Sequence, residues 1–272
     1  MRTPKALLLT SLLPWLLACA GAAAAPDANP EGLKLAQAIY DRPNGDDFAA
    51  SAIMTLTEKG RDPRQRQMYS MRVDRGAGER WSLTRFTDPA DIKGVGLLTK
   101  DYPGDENDQW LYLPALDRVR RVSSSRKGGR FVGSDLFFED LRDREVSMDH
   151  HKYLGKGKIG KLVCDVLQSV PVDPDNSVYT RRVSWIHPQT MVPLRVDLYQ
   201  RHSNEPVKRL VAKRIKKVQG FWTVTDSVMQ DLESGHETRI QQTRLKYNQG
   251  IPGSLFTSRT LSDEAAETRY RP

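Results

Sequence analysis

Three sets of residues have types and spacings that bear on chemistry. Asp149, His150 and His151 offer two imidazoles beside a carboxylate, the ingredients of a metal site. Neighbouring residues on an extended strand point to opposite faces, so the two histidines cannot close on one ion. Cys164 is the only thiol besides Cys19, and the pair therefore reads as ordinary surface histidines with no metal expected. Asp135, Glu139 and Asp140 offer carboxylates for acid–base work, but that work needs a matched partner within hydrogen-bond reach. Acids at the start of a helical turn are already explained by capping and the helix dipole. The third set is basic: Arg118, Arg120, Arg121, Arg126, Lys127 and Arg130 form one run, and Lys208, Arg209, Lys213, Arg214, Lys216 and Lys217 form another. Solvated faces of amphipathic strands explain these runs first, and attraction to anionic head groups second. No Gly-x-Ser-x-Gly elbow, phosphate-binding loop, His-Glu-x-x-His pair or dinucleotide fingerprint occurs, so catalysis and cofactors have no motif behind them.

The strongest local signal is apolar. Phe131, Val132, Leu136, Phe137, Phe138 and Leu141 crowd into the eleven residues Phe131 to Leu141 of an otherwise polar chain. Ser134 reads as an N-cap with Asp135 in the first turn, which predicts about two turns of helix. Phe137 and Leu141 would then lie one above the other with Phe138 beside them. Two readings stay open: a short helix plugging a β-core, and a lid over a ligand cavity.

Arg2 and Lys5 followed by the apolar run Ala6 to Ala18 and the small residues Ala20 to Ala25 read as a secretory signal, too short for a membrane span. Cleavage is expected after Ala24. The rival is Leu16-Leu17-Ala18-Cys19, which resembles a lipoprotein box with a poor match at its second position. Loss of Arg2 and Lys5 takes the formal charge from +8 to +6. An exported basic protein points to anionic membrane surfaces and not to nucleic acid. With Cys19 in the signal no intrachain disulfide is possible, so stability must come from burial. Residues 25–272 are expected to form one domain.

Asn29 and Pro30 start a helix, as cap and first helical residue, and Leu33, Ala36, Ile39 and Tyr40 continue it at helical spacing. From there on the period changes to extended segments separated by turns, the first three a meander from Ala52 to Thr87. Gly155 to Lys161 reads as a lysine- and glycine-rich loop, and residues 263–272 as a loosely held tail. Ten or eleven antiparallel strands at this spacing suggest an open or closed barrel.

Phe86-Thr87-Asp88-Pro89 with Lys93-Gly94, Asp108 to Leu116 with Arg118 to Arg121, Phe131 to Asp135 with Glu139-Asp140-Leu141, and Tyr247 to Pro252 with Leu255-Phe256-Thr257 together carry a resemblance. Over residues 49–261 the chain resembles the LolA-like family of outer-membrane lipoprotein-sorting proteins. The resemblance implies an all-β fold with minor helices: a strongly curved, incomplete antiparallel β-barrel whose apolar concave side lies under a helical lid. It implies a periplasmic carrier of lipid or lipoprotein acyl chains, accessory to an inner-membrane lipid transporter, with no catalytic residues. The residues expected to meet the acyl chain are Trp81, Leu83, Leu97, Trp110 and Tyr112 in the cavity, with Phe131, Leu136, Phe137, Phe138 and Leu141 in the lid. Each large side chain buried there contributes roughly 1.5–3 kcal/mol and an acyl chain about 0.8 kcal/mol per CH₂, so exchange is near balance without an energy source. An envelope adaptor with a packed cavity is the alternative reading, and a lipid-acting enzyme a third.

Overall fold

The computed structural model of the protein describes residues 28–104, 107–123, 126–201 and 203–272. The expected signal segment and Cys19 lie outside the described residues. The chain enters through helix α1 (Pro30–Tyr40), and Asn29 caps it by accepting from the Gly32 N–H at 2.8 Å. Then come β1 (Asp47–Thr57), β2 (Arg64–Gly76), β3 (Glu79–Asp88), β4 (Gly96–Asp101), β5 (Asn107–Leu113) and β6 (Arg118–Arg121). After a long connection follow β7 (Asp149–Ile159), β8 (Leu162–Pro171), β9 (Arg181–Ile186), β10 (Pro193–Tyr199), β11 (Lys208–Val218), β12 (Phe221–Asp231) and β13 (Glu237–Tyr247).

These form one 13-stranded antiparallel sheet in the order β6-β5-β4-β3-β2-β1-β13-β12-β11-β10-β9-β8-β7, not closed into a barrel. The count exceeds the ten or eleven expected because every extended segment, down to four-residue β6, finds a partner. The residues read as a loop at Gly155 to Lys161 mostly extend β7, which pairs with β8 as far as Ile159 against Leu162. Sequence-adjacent β6 and β7 stand at opposite edges, so the link between them, described over residues 126–148, must travel from one edge to the other across one face. Within that link, Phe131 to Leu141 contacts β2, β5, β9, β11 and β13. So short a segment reaches strands that far apart only if the sheet curls around it; the face it touches is the inner one.

Edge strand β7 is protected by the helix. Asn29 N–H donates to the His151 carbonyl (3.0 Å) and Tyr153 N–H to the Asn29 side chain (2.9 Å), which occupies edge groups otherwise free to pair with another chain. A Cβ at Gly32 would sit 2.6 Å from the His151 carbonyl oxygen, so only glycine permits this approach. His151 is not a surface residue as expected: it is buried, with Nδ1 2.9 Å from Ser169 Oγ and Nε2 2.9 Å from the Val146 carbonyl.

Alternation along the strands divides the core in two. Ala52, Met54, Met68, Phe86 and Leu97 face inward with Phe131, Leu136 and Phe138. Tyr69, Met71, Leu83 and Leu98 face outward and are roofed by Ile251, Leu255, Phe256 and Leu261. The closing residues, expected to be loose, are tied down: Glu267 is fully buried and paired with fully buried Arg85, while the Tyr69 hydroxyl donates to it. Nothing in the polar tail sequence betrays that pairing, since its partner lies 182 residues earlier.

Candidate functional site

The apolar stretch over the inner face is not the two-turn α-helix expected from Ser134. It forms two single 3-10 turns, Phe131–Gly133 and Glu139–Leu141, with a bent chain between them in which Phe137 bridges back to Arg130. The reason is local. Val132 (φ 47°) and Gly133 (φ 69°) are left-handed, which reverses the chain so that Phe131 N–H donates to the Leu136 carbonyl at 2.8 Å. Ser134 Oγ accepts from Leu136 N–H (3.2 Å) and Asp140 from Phe137 N–H (2.7 Å), so the would-be capping side chains hold a turn instead. A β-branched residue in this conformation is strained by roughly 1–3 kcal/mol.

Polar contacts pin the cover to the sheet. Asp135 accepts from Thr238 Oγ1 of β13 at 2.8 Å, and Lys208 of β11 donates to the Asp135 carbonyl at 2.6 Å with its ammonium 3.0 Å above the Phe137 ring. Gln109 of β5 donates to the Phe138 carbonyl (3.0 Å), Arg66 of β2 to the Val132 carbonyl, and Arg182 of β9 pairs with Glu139. Asp140 accepts from the Tyr179 hydroxyl at 3.0 Å. Burial pushes the Asp140 carboxyl up to about 6 and, together with burial at Asp101, makes two acids that resist ionisation. Burial likewise pulls the Lys208 ammonium down to about 8 and raises the Tyr179 phenol.

Two cavities flank this cover. One of about 250 Å³ lies between the inner face and Phe131, Leu136 and Leu141, walled by Ala52, Met54 and Met68. The other, about 580 Å³, opens between α1, the link residues after Asp140 and β7 to β9, and its wall carries six arginines and five acids. Leu141 lines both.

Of the residues expected at the site, Leu97, Phe131, Leu136 and Phe138 are buried together in the inner cluster, with Phe137 and Leu141 packed on it. Phe131 contacts Phe86 (5.6 Å between centroids) and Phe138 (5.9 Å), and Phe137 stacks on Tyr179 at 6.0 Å. Trp81, Leu83, Trp110 and Tyr112 do not join them; they belong to the outer cluster under the C-terminal segment. Trp81 carries Arg75 and Lys100 over its ring. The strand pleat makes the separation: Leu97 and Leu98 face opposite ways, as do Leu111 inward and Trp110 outward. Choosing aromatic residues by size, without phase, mixed the two faces. The arginine-rich cavity was missed because its walls come from α1, β2, β3, the link and β7 to β9, which no sequence window unites.

A family model of uncharacterized proteins matches residues 78–263. A domain from Vibrio parahaemolyticus named for outer-membrane lipoprotein sorting has 30% identity and a TM-score of 0.81, over 85% of this chain and 98% of that one. A DUF1329 family protein from Desulfovibrio piger has 29% identity and a TM-score of 0.81 over the same shares. A LolA superfamily protein from Nitrosomonas europaea has the same fold at 18% identity and a TM-score of 0.64, over 85% of this chain and 97% of that one. No curated protein sequence matches.

Proposed function

The chain belongs to the LolA-like family of outer-membrane lipoprotein-sorting proteins, and from that premise we propose that it is a periplasmic carrier sheltering acyl chains of a lipid or lipoprotein against its inner face. The observation behind this reading is the cavity beneath Phe131, Leu136 and Leu141, lined mainly by apolar side chains with Ser70, Thr84, Ser227 and Gln242 among them, and roofed by a segment with strained Val132 at its tip. At about 250 Å³ the cavity falls below the roughly 300–1,000 Å³ usual for small-molecule sites. An acyl chain therefore enters by displacing apolar side chains of the cover, and the contacts of Phe131, Phe137 and Phe138 are exchanged for contacts with lipid. The carrier reading assigns no catalytic residue and no cofactor. Its further parts are export by the segment ending at Ala24, delivery to or from an inner-membrane lipid transporter, and passing contact of the basic strands with anionic membrane.

A second reading has its own observation. The cover is bonded to strands on both halves of the sheet, as an adaptor with a permanently packed interior would be. Mass spectrometry of lipid extracted from the protein purified from its own envelope separates the two. Stoichiometric unmodified lipid is expected of a carrier; lipid-free protein favours the adaptor, and lipid chemically altered on incubation favours an enzyme. Intact mass of the exported protein tests the start at Ala25, which a lipid adduct on Cys19 would contradict.

A further inference from the structure

The wall of the 580 Å³ cavity holds more arginine than its acids satisfy. Asp101 pairs with Arg142 (3.3 Å), Asp143 with Arg80, and Asp149 with Arg144 (2.9 Å) and Arg182 (3.5 Å). The remaining acids are also engaged: Asp140 with Tyr179 at 3.0 Å, and Glu145 with the Gly104 N–H at 2.7 Å. Arg42 and Arg72 are left over. Among the described residues neither has a carboxylate at ion-pair distance; Arg42 donates to the Trp222 carbonyl (2.6 Å) and Arg72 to the carbonyls of Asn44 (2.6 Å) and Gly45 (3.2 Å). The Nε of each is buried without an acceptor. Burial first, and the nearby charge of Arg80, press against their protonation, with Asp143 and Asp74 partly offsetting this at Arg72. Arg72 also reaches the Asn44 side-chain oxygen at 2.9 Å, and the two Nε groups are closed to the cavity. What the cavity meets is two partly desolvated guanidiniums that lack a carboxylate, beside a third, an arrangement that an anion relieves.

We infer that this cavity is an anion site, and that the ligand is an amphiphile whose carboxylate or phosphate head group meets Arg42 and Arg72 while its apolar part passes Leu141 into the inner cavity. Leu141 is the wall shared by the two cavities, so a head group held on one side of it has apolar space on the other. The inference rests on the carrier reading and narrows its cargo to anionic lipids. It also gives the cavity a task distinct from that of the cover: the arginines select the head group, and the phenylalanines accept the chain.

The test compares a fluorescent long-chain fatty acid with its uncharged methyl ester on delipidated mature protein, with inorganic phosphate as a free-anion probe. The wild type is expected to bind the acid at least about tenfold tighter than the ester. Arg42→Gln with Arg72→Gln should bring the acid down to the affinity of the ester, leave the ester unchanged, and leave the ligand-free denaturation midpoint level or higher, since an unrelieved cationic pair is gone. Phosphate that competes with the acid but not the ester supports a shared head-group site. Equal, undiminished binding of acid and ester to both proteins overturns the anion site and leaves the carrier reading standing. No binding of acid or ester to the wild type, with phosphate raising its midpoint but not that of the double variant, overturns both the carrier reading and the amphiphile, leaving a free-anion site. Loss of stability together with loss of both probes in the double variant makes the two arginines carbonyl staples and overturns the inference.

Discussion

The sheet wears a cover on each face, and the two are built differently. The outer one, from Ile251 onward, seats Leu255, Phe256 and Leu261 in a dense cluster and locks it with the fully buried pair Arg85–Glu267. Arg85 also donates to the carbonyls of Gly94 (2.8 Å) and Leu261 (2.9 Å), so its guanidinium is engaged on three sides. The inner cover reaches more strands, yet much of its hold is on the segment's own carbonyls, Val132 is strained, and cavities border it. One face is sealed for stability. On the proposed carrier reading, the other is closed by contacts that a ligand offering apolar surface and a negative charge would replace.

The comparison breaks most sharply at the outer lock. Glu267→Ala leaves Arg85 buried without a counter-charge and should cost about 3–5 kcal/mol in chemical denaturation, enough to release the C-terminal segment to proteolysis. Phe131→Ala removes a fully buried ring from the inner cluster and should cost about 3 kcal/mol, at the low end for Phe→Ala because the site already borders a cavity that its neighbours can close. Unlike Glu267→Ala, it should leave fatty-acid affinity equal or tighter. A loss of affinity parallel to the loss of stability would make the segment a core plug.

The next effect depends on pH. Burial raises Asp140 and Asp101 in the folded protein above the ordinary carboxylate value, so the folded state takes up these protons before the unfolded chain does. Stability from these groups therefore falls as pH rises from about 4 to about 6 and is level above it. Asp140→Asn should flatten its share of that slope, about 3 kcal/mol, in denaturation curves recorded across this window. A profile identical to wild type would place the carboxyl in solvent. Lys208, lowered in the folded state, works the other way, with stability rising from about pH 8 toward 10.5. The smallest change is at Val132. Glycine there relieves the left-handed strain but loses a partly buried side chain, and the net stability is expected to stay within about 1 kcal/mol of wild type.

Strand periodicity was legible because it is local: the meander expected from Ala52 to Thr87 appears as β1 to β3, and Asn29-Pro30 marks the helix start. Phe131 to Leu141 announced itself by composition, and its burial against the inner face follows from that. Its backbone did not, since left-handed Val132 contradicts the preference of a β-branched residue and is held by the turn's own bonds together with Arg66 from β2. Leu83, Trp110 and Tyr112 fall on the outer face, which size read without the phase of the pleat does not reveal, while Trp81, packed in the outer cluster, also borders the 580 Å³ cavity. The docked tail and the arginine-lined cavity depend on residues far apart in the chain, such as Arg85 with Glu267, and no window of sequence contains both members.

Hydrogen–deuterium exchange on the delipidated protein, with and without a long-chain fatty acid, bears most directly on a displaceable inner cover beside a sealed outer one. Amides of residues 131–141 should exchange faster than those of 255–267 in the empty protein, and ligand should change protection in the first stretch alone. Equal protection in both stretches, unmoved by a fatty acid shown to be bound, would contradict it.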